Sequence, residues 1–206
     1  MAITQAQLDE LWDFSDPAGS EQRLHTAAGQ TTDAADRAEW QTQVARALGL
    51  QERFTTADAV LDDLDPTTPA VRVRVLLERG RLRNSAGDAT AAVPLLEDAA
   101  QIAASAGLLF LQVDALHMLA IADAAHAPEW TAQALAALAT TDDPRTLRWL
   151  VGLHNNAGWA HFDAERYEDA LAAFEAAQDA ATRWGTPQQL TWAAEAIAET
   201  RAALEP

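Results

Sequence analysis

Residues 154–177 read HNNAGWAHFDAERYEDALAAFEAA. Within them lies a spaced frame: small at Gly158, small at Ala170, large and apolar at Phe174, small at Ala177. The frame returns at Gly80, Ala92, Leu96, Ala99 and at Ala45, Ala57, Leu61, Leu64. It returns again at Ala120, Ala132, Ala136, Ala139, and in a weaker form at Leu8, Ser20, Leu24, Ala27. The first positions (8, 45, 80, 120 and 158) are 37, 35, 40 and 38 residues apart. A recurrence of this period is the mark of a helical solenoid, whose units cannot bury their apolar faces alone and must stack. Such an array presents a long surface and usually no catalytic centre.

Composition points the same way. About half of the 206 residues are apolar, and alanine, the strongest helix former, dominates that half. Only Val71, Val73 and Val75 alternate as a strand would, so the chain reads as all-α. The absence of cysteine excludes disulfides and thiolate metal sites. The opening MAITQAQLDELWDF has no basic region followed by an apolar run, so no signal peptide is expected and a cytoplasmic location is. Leu108 to Ala125 is the most apolar stretch, but it holds Gln112, Asp114, His117 and Asp123 and reads as a buried helix rather than a bilayer span. The formal charge of −17 argues against nucleic acid and anionic membranes as partners. All 14 basic residues are arginine, whose planar fork suits carboxylates.

Helix starts are well punctuated. Asp16-Pro17, Thr68-Pro69, Asp143-Pro144 and Thr186-Pro187 each pair a capping side chain with a proline at the first helical position. Pro128 predicts another start without a good cap, and Gly49 and Gly87-Asp88 predict breaks between paired helices. Eleven helices are expected over 4–14, 17–29, 34–49, 53–64, 69–86, 89–106, 109–126, 128–140, 144–163, 167–184 and 187–204. Short connections make neighbours antiparallel hairpins, and Pro94 should bend its helix. No linker interrupts the pattern, so residues 1–206 read as one solenoid domain.

The pattern resembles the tetratricopeptide repeat family. The strongest match is His154-Asn155-Asn156-Ala157-Gly158-Trp159-Ala160-His161-Phe162, followed by Tyr167-Glu168-Asp169-Ala170 and Phe174. A second runs from Leu76 and Gly80 through Gly87-Asp88 to Ala92. Leu116-Leu119-Ala120 with Ala132, and Val44-Ala45-Leu48 with Ala57, are weaker copies. The resemblance implies a right-handed superhelical α-solenoid of about five hairpins plus a C-terminal capping helix. Leu190, Ala194, Ile197 and Ala198 are expected to form the inward face of that cap. Arg79 and Arg83 depart from the family, which usually has a buried Leu and an aromatic there, and His154 and His161 stand at aromatic positions. Either these side chains snorkel outward or the register shifts locally.

In this family the first helix of each hairpin lines a concave groove that usually takes peptide segments. Carried onto this chain, the groove would be lined by Arg46, Arg74, Leu77, Arg81, Asn84, His117, Asn155, Trp159 and Phe162, flanked by Thr42, Asp114 and Ile121. Trp192 and Glu195 are possible additions from the last helix. Five of the fourteen arginines lie between 72 and 83, with only Glu78 among them, and Arg74 and Arg81 share a helical face. They suit an anion held bidentately; equally, they suit pairing with the chain's own acids. Trp159 and Phe162 suit an apolar anchor or the filling between hairpins. His154 and His161 lack further ligands at metal-binding spacing, and no phosphate loop or catalytic triad is present.

The function expected is a non-enzymatic protein-interaction module without cofactor or metal. It would bind a peptide or partner protein carrying acidic and large apolar residues. The other readings are a ligand- or peptide-sensing regulatory domain and a structural homo-oligomer, with a homodimer as its simplest form.

Overall fold

A computed structural model describes residues 3–205. Among them are helices α1 (Gln5–Leu11), α2 (Pro17–Gln30), α3 (Ala34–Leu50), α4 (Phe54–Asp62), α5 (Pro69–Ser85), α6 (Ala89–Ser105) and α7 (Leu109–Ala122). A 3₁₀ turn at Ala124–His126 precedes α8 (Ala127–Leu138), α9 (Pro144–Leu147), α10 (Trp149–Asp163), α11 (Tyr167–Trp184) and α12 (Pro187–Leu204). No strand occurs among the described residues, and Val71 and Val73 of the strand-like run are buried on α5. No helix is long and apolar enough to cross a membrane.

Starts follow the local signals closely. Asp16, Thr68, Asp143 and Thr186 each accept a backbone N–H three residues on, satisfying a donor that has no partner within the helix. Ends follow a shared turn. At four helix ends the chain closes with two reversed bonds, one carbonyl taking the N–H five residues later and the next taking the N–H three later. The outer bonds are Arg53 N–H to Leu48, Asp88 to Arg83, Leu108 to Ala103 and Arg166 to His161. The turn needs one residue in the left-handed region. Gly87 and Gly107 supply it freely, whereas Glu52 (φ 59°) and Glu165 (φ 58°) do so against the steric preference of an L side chain. Glu52→Gly and Glu165→Gly are therefore expected to stabilise the protein by about 0.5–1 kcal/mol each, the relief of left-handed strain exceeding the entropy that glycine adds to the unfolded chain. Urea unfolding of each variant measures this; a loss of stability would mean that the glutamate side chains contribute more than the strain costs.

The recurring small residue is where two helices of a hairpin touch. A Cβ on Gly80 would lie 2.7 Å from Leu96 Cγ, and one on Gly158 would lie 2.6 Å from Phe174 Cδ1. Ala45 and Leu61 share one buried cluster in the same frame. Gly49 is not a break: it lies inside α3, where its missing side chain admits Leu82 of the next hairpin, 2.7 Å from a would-be Cβ. The turn residue there is Glu52.

Five other expectations are corrected. The helix over 4–14 stops at Leu11, where Trp12 turns extended and Arg23 Nε donates to the Leu11 carbonyl at 2.9 Å. The helix over 109–126 ends at Ala122, and the one over 144–163 is interrupted at Arg148, whose Nε donates to the Trp184 carbonyl at 3.0 Å. The fourth copy of the frame shifts: Ala132, Ala136 and Ala139 are exposed, while Ala134 and Leu138 are buried two positions later, after the extra 3₁₀ turn. On α12 the buried face is Ala193, Ala196, Ile197 and Thr200, leaving Leu190, Ala194 and Ala198 exposed. Ala196 and Ile197 share one buried cluster with Ala170 and Phe174 of α11, which sets the face that α12 turns inward.

Contacts divide the chain into two compact units, one through Ala125 and one from His126. In the first, α2 packs on α3, α3 on α4 and α5, and α6 on both α5 and α7. In the second, α10 packs on α8 and α11, and α11 on α12. The first unit's core centres on Leu24, Val44, Leu48, Leu61 and Leu82. The second unit's core includes Ala170, Phe174, Ala196 and Ile197.

Candidate functional site

Polar residues recur at helical spacing on the first helix of three successive hairpins. α3 carries Glu39, Thr42, Gln43 and Arg46; α5 carries Arg74, Glu78 and Arg81; α7 carries Asp114 and His117. All lie in the first unit. Glu39, Gln43, Arg74, Glu78 and Asp114 are buried, which for ionised groups is tolerated only with partners.

Those partners come from neighbouring hairpins. Arg74 Nε donates to Glu39 Oε2 at 3.0 Å. Arg81 forks, donating through Nη1 to Glu78 Oε1 at 2.6 Å and through Nη2 to Asp114 Oδ1 in a very short contact. Arg46 differs: among the described residues it makes no ion pair. It is half-buried, its guanidinium 5.6 Å from the Trp12 ring centroid and 5.4 Å from that of Phe14. The two rings stack at 5.0 Å and 9°. The Trp12 indole N–H donates to Gln43 Oε1 at 3.2 Å, which pins this aromatic shelf to α3.

Burial and charge compete for each proton. Burial raises the Glu39 and Glu78 carboxyls above their ordinary range against the pull of nearby arginines. Burial also acts on Asp114, but there Arg81 and Arg46 outweigh it and hold the carboxyl below the usual value. Burial lowers His117 to about 4, so it is neutral at pH 7.

The arginine strip expected from sequence is thus largely neutralised. Arg74 pairs with Glu39, and Arg81 with Glu78 and Asp114, which offsets the cost of burying these charges. Leu77 is 1% exposed and supports the face rather than offering a contact. Asn84 is half-buried at the end of α5, where its carbonyl accepts the Gly87 N–H. Arg79 and Arg83 do snorkel outward, to Asp62 at 2.5 Å and Asp58 at 2.7 Å on α4.

The remaining expected residues lie in the second unit. Asn155, Trp159 and Phe162 are half-buried on α10. Trp159 meets Phe162 and Phe174 edge-on at 5.4 and 5.0 Å, and Phe162 meets Tyr167 at 5.2 Å. These rings pack against the second unit's own core. Trp192 is 56% exposed on α12, with Glu195 also exposed. His154 is half-buried and its pKa is lowered by that burial, while His161 Nδ1 faces Arg166 Nε at 3.2 Å.

Glu39, Gln43, Trp12 and Phe14 were not foreseen. One signal was available: Glu39 precedes Arg74 by 35 residues and Asp114 follows Arg81 by 33, close to one repeat in each case. Charges of opposite sign one period apart are candidates for pairing between adjacent hairpins.

The chain is similar in structure to BtubC (BKLC) from P. vanneervenii, with a TM-score of 0.66 over 98% of this chain and 85% of that one. Sequence identity is 15%. The fold is tetratricopeptide-repeat-like. No family model and no curated protein matches the sequence. This tetratricopeptide-repeat-like fold places the polar cluster on first helices, with the second helices α4 and α6 behind them.

Proposed function

We propose that the chain is a non-enzymatic interaction module. It holds an extended peptide segment or a partner protein on the face formed by α3, α5 and α7. The observation that carries this reading is the half-buried Arg46, which makes no ion pair among the described residues and lies under two aromatic rings beside the network of Arg74, Arg81, Glu39, Glu78 and Asp114. Three successive hairpins contribute equivalent helices to that face, which suits a ligand that runs across them. The net charge of −17 disfavours polyanionic partners. Within the second unit, Asn155, Trp159 and Phe162 would form a contact of their own, where half-exposed rings can take an apolar side chain.

The test starts from a partner captured on the full chain, followed by hydrogen exchange of the complex. Protection should concentrate in α3, α5 and α7, with smaller changes at α10. Protection confined to α4, α6 and α11, or to the connecting turns, would overturn the assignment of this face.

A further inference from the structure

We propose that Arg46, with the Trp12–Phe14 shelf, is a subsite for a single carboxylate that carries an apolar group beside it. This deepens the reading of the α3–α5–α7 face and rests on it. The cation is already positioned: two stacked rings cover the guanidinium and Gln43, itself 2% exposed, anchors the Trp12 ring through its indole N–H. Such a group loses little freedom when a ligand arrives, which favours binding. Its donors meet no carboxylate among the described residues, whereas Arg74 and Arg81 on α5 are each paired with one or two.

The surroundings select the charge of the ligand. Glu78 and Asp114 both act electrostatically on Arg46, and Arg81 and Arg74 act in the opposite sense. A singly charged, planar carboxylate matches the guanidinium fork. A phosphate dianion doubles its attraction to the arginines along with its repulsion from the two carboxylates, but offers the rings no apolar group, so the shelf favours the carboxylate. The shelf selects the neighbour. Phe14 is 61% exposed, so one side of the stack remains open to an aliphatic or aromatic group lying next to the carboxylate.

The test uses 3-phenylpropionate and its neutral amide as probes on the full chain. The seven tryptophan indole N–H resonances are followed by NMR, with Trp12 assigned by Trp12→Phe. The carboxylate should shift the Trp12 signal saturably with a Kd on the order of millimolar, as befits so small a ligand. The amide should bind at least ~10-fold more weakly, since a charge-assisted bond is lost. Arg46→Gln should weaken the carboxylate to the level of the amide, Arg46→Lys should retain part of it, and Phe14→Ala, at an exposed ring, should weaken it several-fold. Inorganic phosphate should bind less well than the carboxylate. Acetyl-Phe-Glu-amide against acetyl-Phe then distinguishes a side-chain carboxylate from a chain terminus as the natural source. Equal binding of acid and amide, equal binding by Arg46→Gln, or shifts confined to other indoles would overturn the subsite. The face itself is tested separately: a partner that protects α3, α5 and α7 yet binds Arg46→Gln normally would leave that reading standing and this one wrong.

Discussion

Arg81→Met is expected to destabilise the protein by about 3–5 kcal/mol at neutral pH, the range seen when one member of a buried ion pair is removed. The loss follows from what remains. Glu78 and Asp114 are 2% and 4% exposed, and both lose the guanidinium that neutralises them. A pH series separates this cause from lost packing. In the parent, Asp114 is held below its ordinary value, so it contributes stability above that value and the contribution is lost as pH falls. In the variant, burial without Arg81 raises Asp114 above its unfolded value and raises Glu78, already elevated in the parent, further. The native state then binds protons that the unfolded state does not, and the penalty shrinks on acidification. The gap between parent and variant should therefore narrow from pH 7.5 to pH 5 in denaturant titrations. A gap that stays constant would place the cost in packing alone. Arg74→Met, which strands only Glu39, should follow the same course with a smaller loss. Charge reversal at Arg74 or Arg81 is thus a test of folding rather than of binding, and Arg46 is the residue to alter when binding is the question.

Phe174→Ala is expected to cost about 3–5 kcal/mol, because the ring is fully buried against Gly158 and supports Trp159 edge-on. The pair Gly158 and Phe174 should also be strongly coupled. Gly158→Ala alone places a methyl group into the ring, an overpacking penalty of about 1–3 kcal/mol that outweighs the ~1 kcal/mol helix preference for alanine. In a Phe174→Leu background the same change should cost less, since a leucine can shift more readily than the ring. The first unit already carries such a combination, with Ala45 and Leu61 in one buried cluster. A double-mutant cycle by thermal unfolding measures the coupling. Additive effects would show that the two helices do not meet through this contact.

Much of the architecture was legible because its determinants are local or periodic. Thr68-Pro69 and Asp143-Pro144 start helices through bonds that span three residues, so no distant part of the chain can alter them. The small–small–large frame repeats because each hairpin faces the same packing problem, and Gly80 with Leu96 or Gly158 with Phe174 solve it in the same way. Where that regularity ends, the buried faces depart from the frame. An extra 3₁₀ turn moves the buried pair of α8 to Ala134 and Leu138. On α12, Leu190 is the largest apolar candidate, yet the face packed on Ala170 and Phe174 of α11 is that of Ala196 and Ile197.

The candidate site divides along the same line. Local spacing alone determined that Arg74 and Arg81 share a face, since seven residues are two helical turns. It also determined that α3, α5 and α7 would present equivalent positions, because the repeat places them so. Only the tertiary structure decided which of those charges are spent within the protein. Arg74 meets Glu39 and Arg81 meets Asp114 about one repeat away, while Arg46 meets two rings from the α1–α2 connection instead of an acid. The physical reason is that helical spacing sets the direction in which a side chain leaves its own helix, but the cost of burying its charge depends on what the neighbouring hairpin brings within about 4 Å.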